Sequence, residues 1–463
     1  MSEILSQDIP DPRQADCFHF LSCSYDPEEG VASLGYSFDD GPELIERITF
    51  PYAPWPPEAS RQACFHRALE ILHLVAGVSY YKSGASPCMQ VQSARSAKGI
   101  SSFLTELYVK GLAELGYINK LDIAARVDFS RLEDNGENDQ GTARPLILPE
   151  RALVAMGGGK DSLVGLDLMQ KAGIEVMPVC IGDSALIKQT VGVAGLPLIQ
   201  IGRQLAPELA MMNRAGAWNG HVPVTAINSA ILLCASILYG FRYIVFSNER
   251  SADEATLVTS EGIEVNHQYS KSSGFETAFR KVIASQISPD IEYFSVLRQR
   301  SELGIVRYFS EMKKFHPVYS SCNRNFHQDG PRIENRWCLD CPKCRFSALS
   351  LALFLTPEEV VSIQGDDLLN DPAQQEGFRE LCGLGRDKPF ECVGEMGESR
   401  AALAALEGMP EWSEHAIVRA LLPGLSAVEI PSLESLLAPS GRHCIPAALF
   451  ELMEQAGGVD GYG

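Results

Sequence analysis

Apolar positions along the chain fall into three successive rhythms, and each predicts a different kind of structure. Between Cys17 and Pro51, apolar and polar residues alternate around the turn-forming stretches "DPEEG" and "DDGPE", the signature of a small antiparallel meander. Two segments of helical period follow. "RQACFHRALEILHLVAGV" sets Leu69, Leu72 and Val75 on one face, and "SSFLTELYVKGLAELGYI" repeats the pattern. The stretch "SRLEDNGENDQGTARP", Ser130 to Pro145, is rich in Asp, Asn and Gly and reads as an exposed loop. Residues 1–145 are therefore expected to form an N-terminal α+β domain.

From there the rhythm becomes strand, helix, strand: "RALVAM", a helix from Asp161, "IEVMPVCIG", "LPLIQIG", a long apolar helix from Thr225, then "YIVFS". Short strands rich in Val and Ile, alternating with helices, predict an α/β domain built on a doubly wound parallel sheet covered on both faces. We assign it to residues 146–355. The remainder, 356–463, reads as mostly helical. Its first helix has a recognisable start, with Thr356 as N-cap, Pro357 in the first helical position and Glu359 closing a capping box.

A length of 463 residues accommodates about two or three domains, and 45% hydrophobic with 21% charged residues is ordinary globular composition. Charge narrows the partners. A formal net charge of -20, spread along the chain, argues against nucleic acid and for small-molecule substrates. The polar start "MSEILSQDIPDPRQADC" lacks a secretory pattern. The most apolar run, Ser229 to Phe241, is shorter than the roughly 20 residues a bilayer span requires. A cytoplasmic protein without membrane association is the expectation, and oligomeric state has no signature in the sequence.

Gly157, Gly158 and Gly159 stand where a predicted parallel strand gives way to a helix. Glycines let the backbone approach an anion closely, the helix directs unpaired N–H groups toward it, and Lys160 and Ser162 offer a charge and a hydroxyl. A Walker A loop is excluded, because Val154 stands where its first glycine belongs and Asp161 follows the lysine. The dinucleotide GxGxxG pattern fails at Ser162.

"GGGKDS" closely resembles the Ser-Gly-Gly-x-Asp-Ser loop of the ATP pyrophosphatase superfamily, with Gly157 in place of the first serine. The resemblance implies cleavage of ATP to AMP and pyrophosphate, with the loop cradling the pyrophosphate and Asp161 helping to hold Mg²⁺. "HVPVTAINSAILLCASILYGFRYIVFSNERSADE", His221 to Glu254, resembles the later helix and strand of these enzymes, most of all the deazaguanine nitrile synthases. It implies that Ser247, Asn248, Glu249 and Asp253 lie at a strand end facing the first loop.

Thirteen cysteines without a secretory signal do not suggest a disulfide framework, and four of them cluster. Cys322, Cys338, Cys341 and Cys344 are separated by fifteen, two and two residues. Two overlapping C-x-x-C units and a remote fourth thiolate suit a closed, structural, tetrahedral Zn²⁺ site. A cubane iron-sulfur cluster is the alternative occupant.

The motifs "AMGGGKDS", "FSNERSADE", "CNRNF", "WCLDCPKC" and "KPFECVGEMGESR", taken together over most of the chain, resemble the ATP-dependent epimerases that invert the terminal glutamate of UDP-N-acetylmuramoyl-L-alanyl-L-glutamate. The resemblance implies that a carboxylate is converted to an acyl-adenylate, which removes its charge and acidifies the adjacent α-proton. Reprotonation from the other face and hydrolysis then give the D-glutamyl product. Such a reaction needs an acid and a base on opposite faces. Cys392, His267 and Lys271 are candidates, each with a structural reading beside the catalytic one. A substrate carrying uridine diphosphate, sugar and peptide requires a long cleft, whose far wall the N-terminal domain is expected to supply. Other readings are a different adenylating enzyme, such as a nitrile synthase, an amide-forming ligase or a tRNA-modifying enzyme, and a zinc-stabilised binding protein.

Overall fold

The computed structural model describes residues 10–92, 99–130, 143–255, 257–258, 264–325, 335–385, 391 and 393–456. Its strands are β1 (Cys17–Asp26), β2 (Val31–Phe38), β3 (Leu44–Thr49), β4 (Cys88–Val91), β5 (Arg151–Ala155), β6 (Glu175–Ile181), β7 (Ile199–Gln204), β8 (Tyr243–Phe246), β9 (Leu257–Val258), β10 (Glu264–Val265) and β11 (Glu292–Ser295). Nine of them form one sheet in the order β11-β8-β5-β6-β7-β3-β2-β1-β4, while β9 and β10 pair separately. Strands β11, β8, β5, β6 and β7 run parallel to one another. β1 to β3 form the expected antiparallel meander.

Successive residues of a strand face opposite sides of the sheet, and here both sides are covered. Leu153, Ile244 and Tyr293 enter one core with the meander, helix Ala59–Ala76 and the apolar helix Val224–Tyr239. Their neighbours Val154, Val245 and Phe294 enter the second core, with helices Lys160–Lys171 and Glu302–Ser310 and the C-terminal helices. Strands buried on both faces must be continuously apolar. That is why "ALVA" and "YIVF" carry no alternation.

The N-terminal segment continues this sheet. β3 pairs antiparallel with β7, joining Arg47 to Gln204 and Thr49 to Gly202, so an edge that would otherwise expose unpaired backbone groups is covered. An ion pair from partly buried Arg203 Nε to buried Glu46 Oε1, at 2.7 Å, crosses the joint. Helix Ala59–Ala76 packs on helix Val224–Tyr239. Most of the polar stretch from Ser130 to Pro145 lies outside the described residues. β11, which the sequence rhythm does not announce, completes the parallel half beyond β8.

The chain after Leu355 is mostly helical among its described residues, with Pro357–Gln364 first and Met396–Leu406 among those that follow. The capping box is present: the Glu359 amide donates to Thr356 Oγ1 at 3.4 Å, and the Thr356 amide donates to Glu359 Oε2 at 3.1 Å. Among the described residues no helix is long and apolar enough to cross a membrane.

Candidate active site

The parallel strands follow the order 11-8-5-6-7, so the winding direction reverses between β5 and β8. In open α/β sheets the crevice for a ligand lies at that reversal, beyond the carboxyl ends of the strands. β5 runs into Gly157–Gly159 and the helix Lys160–Lys171, while β8 runs into Ser247, Asn248 and Glu249. Asp161, Ser247, Asn248 and Glu249 line one cavity between the two strand ends.

The three glycines are not equivalent. Gly158 has φ +75°, and a Cβ there would press on Leu186 and Ile187 at 3.1 and 3.2 Å. At Gly159 a Cβ would meet Ser321 Oγ at 3.3 Å, whereas at Gly157 it would find nothing within 4 Å. The position where the superfamily loop has serine is thus open space. A further glycine, Gly165, brings its helix so close to β8 that a Cβ would lie 2.2 Å from Ser247 Oγ. Ser247 Oγ is buried and has no hydrogen-bond partner among the described residues. A buried hydroxyl of that kind on a cavity wall suits a polar ligand. Ser162, by contrast, turns back to donate to the Gly159 carbonyl at 3.1 Å and is not among the cavity-lining residues.

Charge is concentrated at the cavity. Lys160 is buried, and its Nζ bonds Asp161 Oδ1 at 2.8 Å and Glu302 Oε2. The two carboxylates hold its proton more tightly than usual, against the opposing effect of burial. Burial raises both Glu249 and Glu302 to about 7; Glu398 adds to this at Glu249, and Lys160 opposes it at Glu302. Glu398 is raised by burial to about 7 as well. Its carboxylate accepts the Leu303 amide at 3.0 Å and the Glu395 amide at 2.8 Å.

Lys271 also lines the cavity. It and Glu249 are held from behind by Arg298, which donates to the Lys271 carbonyl at 2.6 Å and the Glu249 carbonyl at 3.0 Å. Arg298 is itself fixed by two hydrogen bonds to buried Glu276, at 3.0 and 2.8 Å. Asp253 sits elsewhere and accepts the Ser273 amide at 2.6 Å near the start of helix Ser273–Gln286. His267 is not among the cavity-lining residues and bonds Glu114. Cys392 lies outside the described residues, although its neighbour Glu391 accepts a hydrogen bond from Asn323, next to Cys322.

The four cysteine sulfurs converge. Cys341 Sγ lies 3.5 Å from Cys344 and 4.0 Å from Cys322, and Cys338 lies 3.7 Å from Cys344. Tetrahedral Zn²⁺ with bonds of about 2.3 Å separates its sulfurs by roughly 3.8 Å, so the donors and their spacing fit that ion. The cluster adjoins the cavity at two points. Cys341 caps helix Pro342–Leu351, which presents Lys343, Phe346 and Ser347 to the cavity. Next to Cys322, Ser321 lines the cavity, and the Ser320 amide donates to the Gly158 carbonyl at 3.4 Å.

Sequence reasoning missed Glu302, Lys343, Gln268 and Arg298. "RSELG" reads as an ordinary helix start: Ser301 does cap the helix through the Gly304 amide at 3.0 Å, and nothing local reveals that Glu302 is buried. Lys343, inside the cysteine motif, had a positional signal in its nearness to the four clustered cysteines.

Residues 10–296 match the family model described as the MurL N-terminal domain, and residues 318–434 match the MurL C-terminal domain. The chain belongs to the MurL family. MurL relatives span nearly its whole length. A protein of Xanthomonas oryzae pv. oryzae is 42% identical, covering 95% of this chain and 97% of the relative. One from Salinispora tropica is 38% identical, covering 97% and 99%. Both are named UDP-N-acetyl-alpha-D-muramoyl-L-alanyl-L-glutamate epimerase. The motif resemblance and these MurL matches point to one family.

Proposed function

We propose that this chain is an isomerase of peptidoglycan precursor synthesis that inverts the terminal L-glutamate of UDP-N-acetylmuramoyl-L-alanyl-L-glutamate, coupled to cleavage of ATP to AMP and pyrophosphate. One observation carries the coupling to ATP. The Gly157–Gly159 loop and Ser247–Glu249 flank the strand-order reversal with a charged cavity between them, in a chain whose near full-length relatives bear the epimerase name.

In this reading the glycine loop and the start of its helix take the phosphates, and Ser247 Oγ gains its missing partner there. Asp161 and Glu302, which both line the cavity, would hold Mg²⁺, which when bound would neutralise phosphate charge. The substrate carboxylate attacks the α-phosphorus, pyrophosphate leaves, and the acyl-adenylate no longer opposes loss of the α-proton with its own negative charge. A base removes that proton, an acid returns one to the opposite face, and water cleaves the acyl-phosphate bond to release AMP. Glu249 and Lys271 are the groups we assign to proton transfer, because both line the cavity and a carboxyl raised to about 7 exchanges protons readily at neutral pH.

A second cleft, of about 700 Å³, lies across the Arg298–Glu276 pair, which belongs to its wall. Phe103 and Glu106 from the N-terminal segment line it, as do Lys281 and Arg442. Its size and cations suit the uridine diphosphate end of the substrate.

Incubation with ATP, Mg²⁺ and the UDP-sugar dipeptide in D₂O tests the reading. The expected product is D-glutamate carrying one α-deuterium, with AMP released. AMP without inversion would indicate another adenylating reaction, and inversion without ATP would remove the adenylate from the mechanism.

A further inference from the structure

A second group of chemically able side chains gathers from three separate segments. Glu114 stands in the first turn of helix Ala113–Asn119, His221 in the connection leading into helix Val224–Tyr239, and His267 in the turn after β10. One ligating atom from each lies within 4.8 Å of the others. His267 Nδ1 bonds the Glu114 carboxylate, and the two imidazole rings lie 4.0 Å apart between centroids. All three residues are partly buried.

Two imidazoles in contact cannot both carry a proton without repulsion. Neutral imidazole is the form that ligates metal. Two such nitrogens and one carboxylate oxygen are a donor set for late first-row divalent ions, Zn²⁺ foremost. Bonds of about 2.0–2.1 Å would set tetrahedral ligands roughly 3.3 Å apart. The ion would therefore replace the direct Glu114–His267 hydrogen bond, with small side-chain shifts in place of a backbone change.

We propose that Glu114, His221 and His267 form a second metal site, distinct from the four cysteines, which binds Zn²⁺ and keeps an open position for water or an anionic oxygen. Gln268, the residue that follows His267, lines the loop cavity, so the site adjoins that cavity. The proposal does not depend on the epimerase reading, and its test needs no turnover.

The test is Zn²⁺ stoichiometry by elemental analysis after equilibrium dialysis of the full chain. His221→Ala and His267→Ala are each expected to bind one ion fewer per chain than the wild type. Both should retain the sulfur-to-Co²⁺ charge-transfer absorption of the cysteine site after cobalt exchange. Equal stoichiometry in the wild type and both variants overturns the proposal and leaves a metal-free Glu–His pair. Should the variants fail to fold, X-ray absorption of the Zn²⁺-loaded wild type decides. A nitrogen/oxygen shell near about 2.0 Å beside the sulfur shell near about 2.3 Å is expected, and a sulfur shell alone overturns the site.

Discussion

Lys160 Nζ bonds the carboxylate of Glu302, 142 residues further along the chain, and both side chains are 8% exposed. Removing one partner of a buried pair strands the other charge. Lys160→Met is therefore expected to cost about 3–5 kcal/mol, and adding Glu302→Gln should recover part of that loss through coupling. Urea denaturation of the wild type, both single variants and the double variant measures it. A loss below about 1 kcal/mol for Lys160→Met would contradict the pair's structural importance.

Ser320, two residues before Cys322, bonds the glycine loop, and Cys341 stands at the start of the helix that carries Lys343, so loss of a metal held by the four cysteines should reach the chemistry indirectly. Cys338→Ser or Cys341→Ser is expected to lower kcat/KM for ATP on the order of 10²-fold, the scale of an approximately 1 Å misplacement. Lys343→Ala should impair ATP use while leaving metal content unchanged. Elemental analysis beside AMP-release kinetics separates the two. Full activity in a metal-free cysteine variant would detach the cluster from the site.

The glycines of the loop should differ sharply on substitution. Gly158→Ala forces a side chain into left-handed backbone at a cost of about 1–2 kcal/mol and presses on Leu186 and Ile187, so the melting temperature and ATP affinity should both fall. Gly157→Ser places its side chain in open space and supplies the hydroxyl of the superfamily loop, so stability should be unchanged and ATP binding retained or tightened. Calorimetric titration with ATP, beside thermal melts, tests both.

Glu249 gives the apo protein a distinctive pH response. Burial raises it from 4.5 in the unfolded chain to about 7. Between those values the folded protein keeps a proton that the unfolded chain has released, so stability falls as pH rises through this window and levels off above it. Glu249→Gln keeps an acceptor for the Ser251 amide but has no proton to lose. Between pH 5 and 7.5 the wild type should lose on the order of 2 kcal/mol more stability than the variant, measured by urea midpoints. Parallel slopes would remove Glu249 from the titration. The same variant should abolish α-proton exchange if Glu249 transfers the proton.

Much of the architecture was legible because it is written locally. The meander, the parallel strands, the capping box at Thr356 and the glycine turn each occupy a few consecutive residues whose period or turn chemistry reports their state. The four cysteines were legible for a related reason, since close C-x-x-C spacing lets three of them reach one point whatever the rest of the fold does. β11 escaped notice because "EYFS", Glu292 to Ser295, has none of the Val and Ile that announce "YIVF" at β8.

The sequence by itself thus determined the strand-loop-helix that carries Gly157–Gly159 and Asp161, and the donor set of the cysteine cluster. Only the tertiary structure decided the surroundings of that loop. Sheet order put Ser247–Glu249 opposite it. Packing buried Glu302 against Lys160, tied Arg298 to Glu276 behind Lys271, and drew His267 to Glu114, 153 residues away in the chain. A carboxylate's burial, and therefore its proton affinity and its partner, depends on what the whole chain folds around it, and no local pattern encodes that.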